Sequence, residues 1–522
     1  MTTPQLPERP NLDQLKRQAK DLLRDARARR PEALARLHSL PGFAGRSDDD
    51  VAHTAALHDA QSVIARELGF PSWNALAEHV EELTLGFDAA VDQFIQAATE
   101  VQPERAERLL RLHPRIAGAN FYTALLLGDS ARVESHLTRS ATLATKAGGA
   151  REWEPLLYLC HTKLEFGPRE RPDGVVRCAQ QLLALGADPN ARYPWLHHGV
   201  RRPALWGAVC VTRSLGLAAA LLDAGADPND GVTFPLAAGG GDIDALELLY
   251  SRGASVNQPW ATDGSATLYA ILQWTDTPAG VHWLVEHGVA PDPVYAPNGE
   301  TPLHVAARRC DVGIVASLVG IGADIERKRA DGRTAYAVAR LSGNDAVAEW
   351  LAQHGAHTEL SDVDRLVAAC SRGDRATADA LLHAHADLAS QIGPEHYGGL
   401  YRAAEQNDAA VLETMLECGF DPNHGDEIGK TALHAAAMEG WPDAVRVLLK
   451  HGASVSMRDN EFHGQPLVWA AEGFRSHRPD QRDYRKVSQL LLDAGSPVEW
   501  DPSEEPSAEI LEIIREWSGG RA

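Results

Sequence analysis

A chain of 522 residues exceeds what one ordinary hydrophobic core organises, so several domains or a repeat array are expected. Hydrophobic residues make up 44% and aromatics only 6%, an apolar content carried by Ala, Leu and Val that suits closely packed helices and not a thick β-sandwich. The net charge of −22 sets the surface against nucleic acid and anionic lipid, and favours a basic partner at long range.

Met1 to Asp13 is polar and lacks the apolar stretch of a signal peptide. Residues 1–86 are expected to form a helical N-terminal cap region. Leu12, Leu15, Ala19, Leu22, Leu23 and Ala26 fall at helical spacing, with Lys16, Arg17, Lys20, Arg24, Arg27 and Arg29 on the remaining faces. Arg46 to Asp50 reads as a polar loop, Ala55 to Leu68 as a helix closed by Gly69, and Asn74 to Leu83 as a third helix. The basic first helix has two readings. Its cations pair with Asp13, Asp21 and Asp25 as a solvated face, or they form an electrostatic docking face for RNA, DNA or an acidic protein. No aromatic for base stacking lies on it, so a nucleic-acid contact there would be to phosphate.

Residues 87–190 are expected to hold degenerate helix pairs, the first over Phe87 to Leu112 and the next over Phe121 to Leu137. From 191 to 501 two phrases alternate. One runs Leu221-Leu222, a spacer, then Gly225-Ala226-Asp227-Pro228-Asn229, with a twin ending Gly186-Ala187-Asp188-Pro189-Asn190 and looser copies from Gly253, Gly322, Gly419 and Gly452. The other is Thr301-Pro302-Leu303-His304-Val305-Ala306-Ala307, echoed by Thr431-Ala432-Leu433-His434-Ala435-Ala436-Ala437. Gly288, Gly322 and Gly355 lie 34 and 33 residues apart, and Gly419 and Gly452 lie 33 apart. Threonine caps a helix, proline suits its first position, and glycine ends the second helix in a left-handed turn. Asp, Pro and Asn then form the loop to the next unit. Two phrases at this period resemble the ankyrin repeat. The resemblance implies an all-α solenoid of stacked helix-turn-helix pairs with hairpin loops, about twelve units in all, and an interaction role.

Between Gly355 and Gly419 the interval is 64, about two periods. The intervening copy has His385 where glycine is expected, which predicts a cap at positive φ and makes the His383/His385 pair structural, not metal-binding. Residues 502–522 are expected to add a capping helix over Pro506 to Trp517. The run Leu12 to Arg24, the run Asp59 to Trp73, and Gly148-Gly149-x-Arg151-x-Trp153-x-Pro155-Leu156-Leu157-Tyr158-Leu159-Cys160 look like a group of bacterial ankyrin-repeat proteins.

No catalytic motif is present: no G-x-S-x-G, G-x-x-x-x-G-K or H-E-x-x-H. Gly239-Gly240-Gly241-Asp242 falls between two helices and reads as a turn. The six cysteines (Cys160, Cys178, Cys210, Cys310, Cys370, Cys418) form no C-x-x-C pair, which speaks against zinc and disulfides and for a reducing compartment. No window approaches the ~18 apolar residues that span a bilayer. The expectation is a cytoplasmic, monomeric, cofactor-free and non-enzymatic protein. Its histidines have local roles: His304 and His434 tie repeats together, and His287, His354 and His451 precede capping glycines.

A protein partner is expected along the loop tips and first-helix faces, where binding energy concentrates in aromatic and Arg side chains. Tip candidates are Trp195, Trp260, Tyr295 and the cluster Arg327, Lys328, Arg329 and Arg333, which acidic partner residues would meet. For Trp195 and Trp260 the other reading is packing on the neighbouring loop, and for the cluster it is simple solvation. The phrase spacing stretches to 39 between Gly186 and Gly225 and to 43 between Gly452 and Gly495. The first insertion adds His197 and His198. The second is a basic loop at 474–486 with Arg475, Arg478 and Tyr484, which beside the first helix gives the alternative of a nucleic-acid adaptor.

Overall fold

The computed structural model describes residues 6, 10–99, 103–162, 164, 171–194, 201–261, 264–273, 278–295, 297–426, 428–460, 463–476, 482–498 and 513. The chain forms two compact units, Met1–Thr233 and Phe234–Ala522.

The first unit opens with the helix Leu12–Arg27, whose first turn is capped by the Asn11 side chain accepting from Gln14 N at 3.1 Å. Leu15, Ala19, Leu22 and Ala26 are buried on one stripe, as their spacing predicts. Among its described residues the region holds five helices, not three, because Pro31–Leu37 and Asp48–Thr54 are also helical. Pro31 occupies a first helical position. Ser47 Oγ accepts from Asp50 N at 3.2 Å, and Asp48, Asp49 and Asp50 sit at the positive end of the helix dipole. The segment expected to be a polar loop is therefore a helix start. Two helix pairs follow, Phe87–Thr99 with Pro103–Leu112 and Phe121–Leu126 with Ser130–Arg139. Glu82, only 1% exposed, receives two hydrogen bonds from Arg108 at 3.2 and 3.1 Å, locking the Trp73–Thr84 helix to Pro103–Leu112.

Further along, Pro155–Cys160 pairs with Arg171–Ala184, and Ala204–Trp206 runs into a π-helical turn at Gly207–Val211 before Leu215–Asp223. Between them Arg192–Pro194 and Arg201–Pro203 form an antiparallel hairpin with Tyr193 opposite Arg202.

The second unit alternates first helices (Thr267–Leu272, Pro302–Arg309, Ala335–Leu341, Asp362–Cys370, Gly398–Glu405, Ala432–Met438) with second helices. Among the latter are Pro278–Glu286, Val312–Gly320, Asp345–Gln353 and Pro442–Lys450. The first helices Thr267–Leu272, Pro302–Arg309, Ala335–Leu341 and Asp362–Cys370 pack on one another in turn, as do Gly398–Glu405 and Ala432–Met438, and the second helices Pro278–Glu286, Val312–Gly320 and Asp345–Gln353 do likewise. The repeat phrases explain the contacts. Thr301 N donates to His304 Nδ1 at 3.2 Å, and His304 Nε2 reaches Arg333 O in the next unit at 3.2 Å. His434 repeats the device, with Thr431 N on Nδ1 at 3.1 Å and Nε2 at 3.2 Å from both Met457 O and Gly464 O. The loop asparagines tie neighbours too: Asn257 Oδ1 accepts from Ala290 N at 2.8 Å, and Asn423 Oδ1 from Ser454 N at 2.7 Å.

Glycines serve two separate ends. At Gly322 (φ +96°) an added Cβ meets nothing within 4 Å, so only the left-handed backbone demands glycine. On the Pro278–Glu286 helix a Cβ at Gly280 would stand 1.8 Å from Ala238 O, so there the demand is close helix approach. Two expectations change. His385 has φ −141°, so it is not a left-handed cap; the helix Arg375–Ala384 ends without one and passes into the short 3-10 turn Leu388–Gln391. Of the C-terminal segment only Ile513 is described, and it is buried; Pro506 to Trp517 otherwise lies outside the described residues. No described helix is long and apolar enough to cross a membrane.

Candidate partner-binding surfaces

The tip at 327–333 is built on an alternation. A turn closed by Arg329 N donating to Arg333 O (2.9 Å), with Gly332 at φ +84°, brings Arg329 and Arg333 to either side of Asp331. Arg329 and Arg333 both bind Asp331, whose carboxyl is pushed up by burial but held down to about 2 by these hydrogen bonds and by Arg333 N. Arg333 then reaches forward. Its Nη2 donates to Asp364 Oδ1 at 2.7 Å and lies 2.7 Å from His396 Nε2. Arg329 reaches back to Glu300 Oε1 at 3.1 Å, which also takes Arg308 Nη1 at 2.9 Å, while Tyr269 donates to Oε2 at 3.1 Å. Burial opposes the charge on Glu300, yet the two guanidinium groups hold its pKa below normal.

Only half of the predicted basic cluster is therefore open. Arg329 and Arg333 side chains are 12% and 11% exposed and committed to internal ion pairs, a correction to their expected role in meeting a partner. Arg327 and Lys328 are exposed and form no ion pair among the described residues. The aromatic tips are half-buried. Tyr295 stacks on Tyr269 (4.8 Å between ring centres, 13°), and Trp260 sits in a tight turn in which its N–H donates to Ser265 O at 2.6 Å.

Residues 234–329, 268–362 and 400–498 each match the family model described as ankyrin repeats (3 copies). These segments are ankyrin repeats. Over 80 residues the chain is 36% identical to potassium channel AKT2/3 of Arabidopsis thaliana, covering 15% of this chain and 10% of that protein. Over 181 residues it is 28% identical to SH3 and multiple ankyrin repeat domains protein 2 of Homo sapiens, covering 34% and 10%. NF-kappa-B inhibitor delta of Mus musculus is 35% identical over 116 residues, covering 20% and 36%. The chain thus spans between a tenth and about a third of these relatives' length.

The last ankyrin repeat corrects a further expectation. Phe474 and Arg475 lie in the helix Pro466–Ser476, and Tyr484 opens the helix Tyr484–Asp493, so both ends of the 474–486 insertion are helical; residues 477–481 lie outside the described residues. Tyr484 is 2% exposed, donates to Met438 O at 3.0 Å and meets Phe474 edge-on, so it seals the repeat and cannot reach a partner. Arg478 and the Arg475 side chain lie outside what is described, as do Trp195, His197 and His198. The pair His383 and His385 is split: His383 Nδ1 bonds Asp379 O at 2.7 Å, and His385 Nε2 lies 3.8 Å from Asp362. In the first helix Lys16 and Arg24 lie 3.8 and 2.9 Å from Asp13 and Asp21, and Arg29, just past its end, lies 3.1 Å from Asp49, the arrangement of a solvated face.

A centre that the sequence did not reveal lies under the hairpin at 192–203. His161 is 2% exposed, and neither ring nitrogen has a hydrogen-bond partner among the described residues. Tyr193, Trp206 and Trp153 surround it, at ring separations of 3.8, 5.7 and 5.9 Å. Gly207, opening the π-turn, is pressed so close that a Cβ would lie 2.5 Å from the imidazole. Burial drives the His161 pKa down to about 3, so the ring is neutral. The phrase Gly148 to Cys160 builds one wall: Gly148 pairs with Trp153 across a tight turn, and Tyr158 donates to Gly148 O at 2.8 Å.

Proposed function

We propose that this protein is a scaffold for another protein, which it contacts along the loop tips of its central ankyrin repeats, with acidic partner residues meeting Arg327 and Lys328. The supporting observation is the tip at 327–333. Arg329 and Arg333 are clamped into Glu300, Asp331 and Asp364, and this fixed base carries two exposed, unneutralised cations. Preorganised charge of this kind lowers the ordering cost of binding and adds specificity and association rate. Repeats of this type are interaction modules in general; in this reading the scaffold is cytoplasmic, monomeric and without catalytic activity, and the scattered free cysteines fit a reducing compartment.

The test is affinity capture from the native host with the whole chain, followed by Arg327→Glu and Lys328→Glu together against the captured protein. Each reversed exposed pair is expected to cost about 1 kcal/mol, so affinity should fall about tenfold or more and the association rate should lose its salt dependence. Unchanged affinity for a captured partner removes the tip from the interface.

A further inference from the structure

The helix Asp362–Cys370 opens one unit of the array, and the helix Ala409–Glu417, which packs against it, closes the next. Each ends at a cysteine: Cys370 is the last residue of the first helix, and Cys418 caps the second. The two thiols lie in one core cluster, 0% and 2% exposed, with the Cys370 S–H donating a hydrogen bond to the Cys418 sulfur. They are 48 residues apart in the chain, so no spacing motif announces the pair. Thiols already in hydrogen-bond contact have a short path to a sulfur–sulfur bond of about 2.05 Å.

The two sulfurs are not equivalent. The hydrogen bond from Cys370 lowers the Cys418 pKa, helped by the Arg375 guanidinium and opposed by burial, Asp379 and Glu417. That same bond, together with burial, pushes Cys370 up. Cys418 is therefore the first to lose its proton, and the thiolate is the nucleophile. Burial pushes Cys178 up to about 12 and Cys310 to about 11, so neither competes. Cys418 also has thin cover. Glu417 and Gly419 on either side of it are exposed, and Arg375 joins Glu417 and Asp379 (2.8 Å) in a surface clasp beside the pair. A small hydroperoxide needs only side-chain motion at that clasp to reach the sulfur, whereas a bulky disulfide needs the helices parted.

We propose that Cys370 and Cys418 are a peroxide-sensitive dithiol whose disulfide staples two neighbouring ankyrin repeats. In the first step the Cys418 thiolate attacks one oxygen of hydrogen peroxide. The O–O bond breaks, Cys418 becomes a sulfenic acid, and the hydroxide that leaves takes up the proton Cys418 had lost. In the second step the Cys370 sulfur attacks the Cys418 sulfur. The S–O bond breaks, and the hydroxyl departs as water with the Cys370 proton. Two thiols are thus oxidised by two electrons while one peroxide is reduced to two waters. The staple would stiffen a joint whose loop provides little: the Asp387 carboxylate turns back to its own Gln391 Nε2 at 2.8 Å, where Asn257 and Asn423 reach the next unit. Transient disulfides of this kind are the ones found in reducing compartments. The proposal stands apart from the scaffold reading and does not depend on Arg327 or Lys328.

The test treats the reduced full chain, freed of reductant, with hydrogen peroxide at neutral pH, and maps its peptides by mass spectrometry without reduction. The expected product is a linked Cys370–Cys418 peptide pair, two hydrogens lighter and reversed by dithiothreitol, with the thermal midpoint raised by about 5 °C. Cys370→Ser, whose hydroxyl keeps a donor beside Cys418, should stop at the sulfenic acid, which dimedone traps about tenfold faster than at Cys178. Cys418→Ser should leave Cys370 unmodified at the same dose. No linked peptide from the native chain, a linked peptide that forms only in urea, or equal dimedone labelling of Cys370 in Cys418→Ser would each overturn the assignment. The native map needs no variant, so a substitution that fails to fold leaves the test intact.

Discussion

His304 and His434 in the ankyrin repeats and His161 in the first unit are the same residue in nearly the same state of burial, 1%, 0% and 2% exposed. In each, burial lowers the pKa, to about 4 for His434 and about 3 for His161. They differ in what the nitrogens do. The repeat histidines accept from a threonine N–H on one side and reach a carbonyl of the next unit on the other. His161 has neither bond, only aromatic walls. Burial alone therefore does not make a histidine structural; what it ties together does.

The largest expected effect separates the two classes. His434→Ala removes a helix-start bond and the link to the next repeat and leaves a cavity, so urea unfolding of the second unit should show a loss of about 3 kcal/mol. His161→Leu at neutral pH should gain about 1 kcal/mol, because no bond is lost and two orphaned groups disappear. A loss there of the size expected for His434 would dissolve the distinction.

Acid provides the second test. The His161 pKa is lowered in the folded state, so below the ordinary value of 6.5 the unfolded chain binds the extra proton and stability falls as pH drops from 6.5 towards 3. At pH 4.5 the penalty is about 2.7 kcal/mol, from two pH units at 1.36 kcal/mol each. Hydrogen exchange of the amides at 153–161 should accelerate accordingly, and His161→Leu should abolish that acceleration. Persistence of the acceleration in the variant would assign the acid sensitivity elsewhere. The smallest effect belongs to the repeat turns: Gly322→Ala should cost about 1 kcal/mol, through backbone strain alone, read as a shift in the urea midpoint.

The repeat architecture was legible because its signals are local. Thr301-Pro302 and Gly322 state the start of one helix and the end of another within a few residues, and a 33-residue period repeats the statement. The N-terminal region was read less well for the same reason inverted. Ser47 with three aspartates is a local helix start, but an acidic run also reads as loop, and only the buried Val51 behind it decides. At the tip, the alternation Arg329, Asp331, Arg333 was present in the sequence and could have warned that these cations neutralise one another. The contributions of Glu300, Asp364 and His396 could not be read, since they come from other repeats. His161 carried no signal either, because an absent partner leaves no trace in a sequence.

The loop ties have a mechanical consequence. The Asn257 and Asn423 side chains each reach across to the following unit, so an array held this way transmits tension from neighbour to neighbour. Drawn out by its ends, it lengthens in steps, each surrendered unit of about 33 residues paying out about 110 Å of slack. Arg333 breaks that uniformity, because its guanidinium grips Asp364 and His396 together and bolts several units into a stiffer block. Yielding should begin outside the block, which makes the middle of the array the last grip to let go under load.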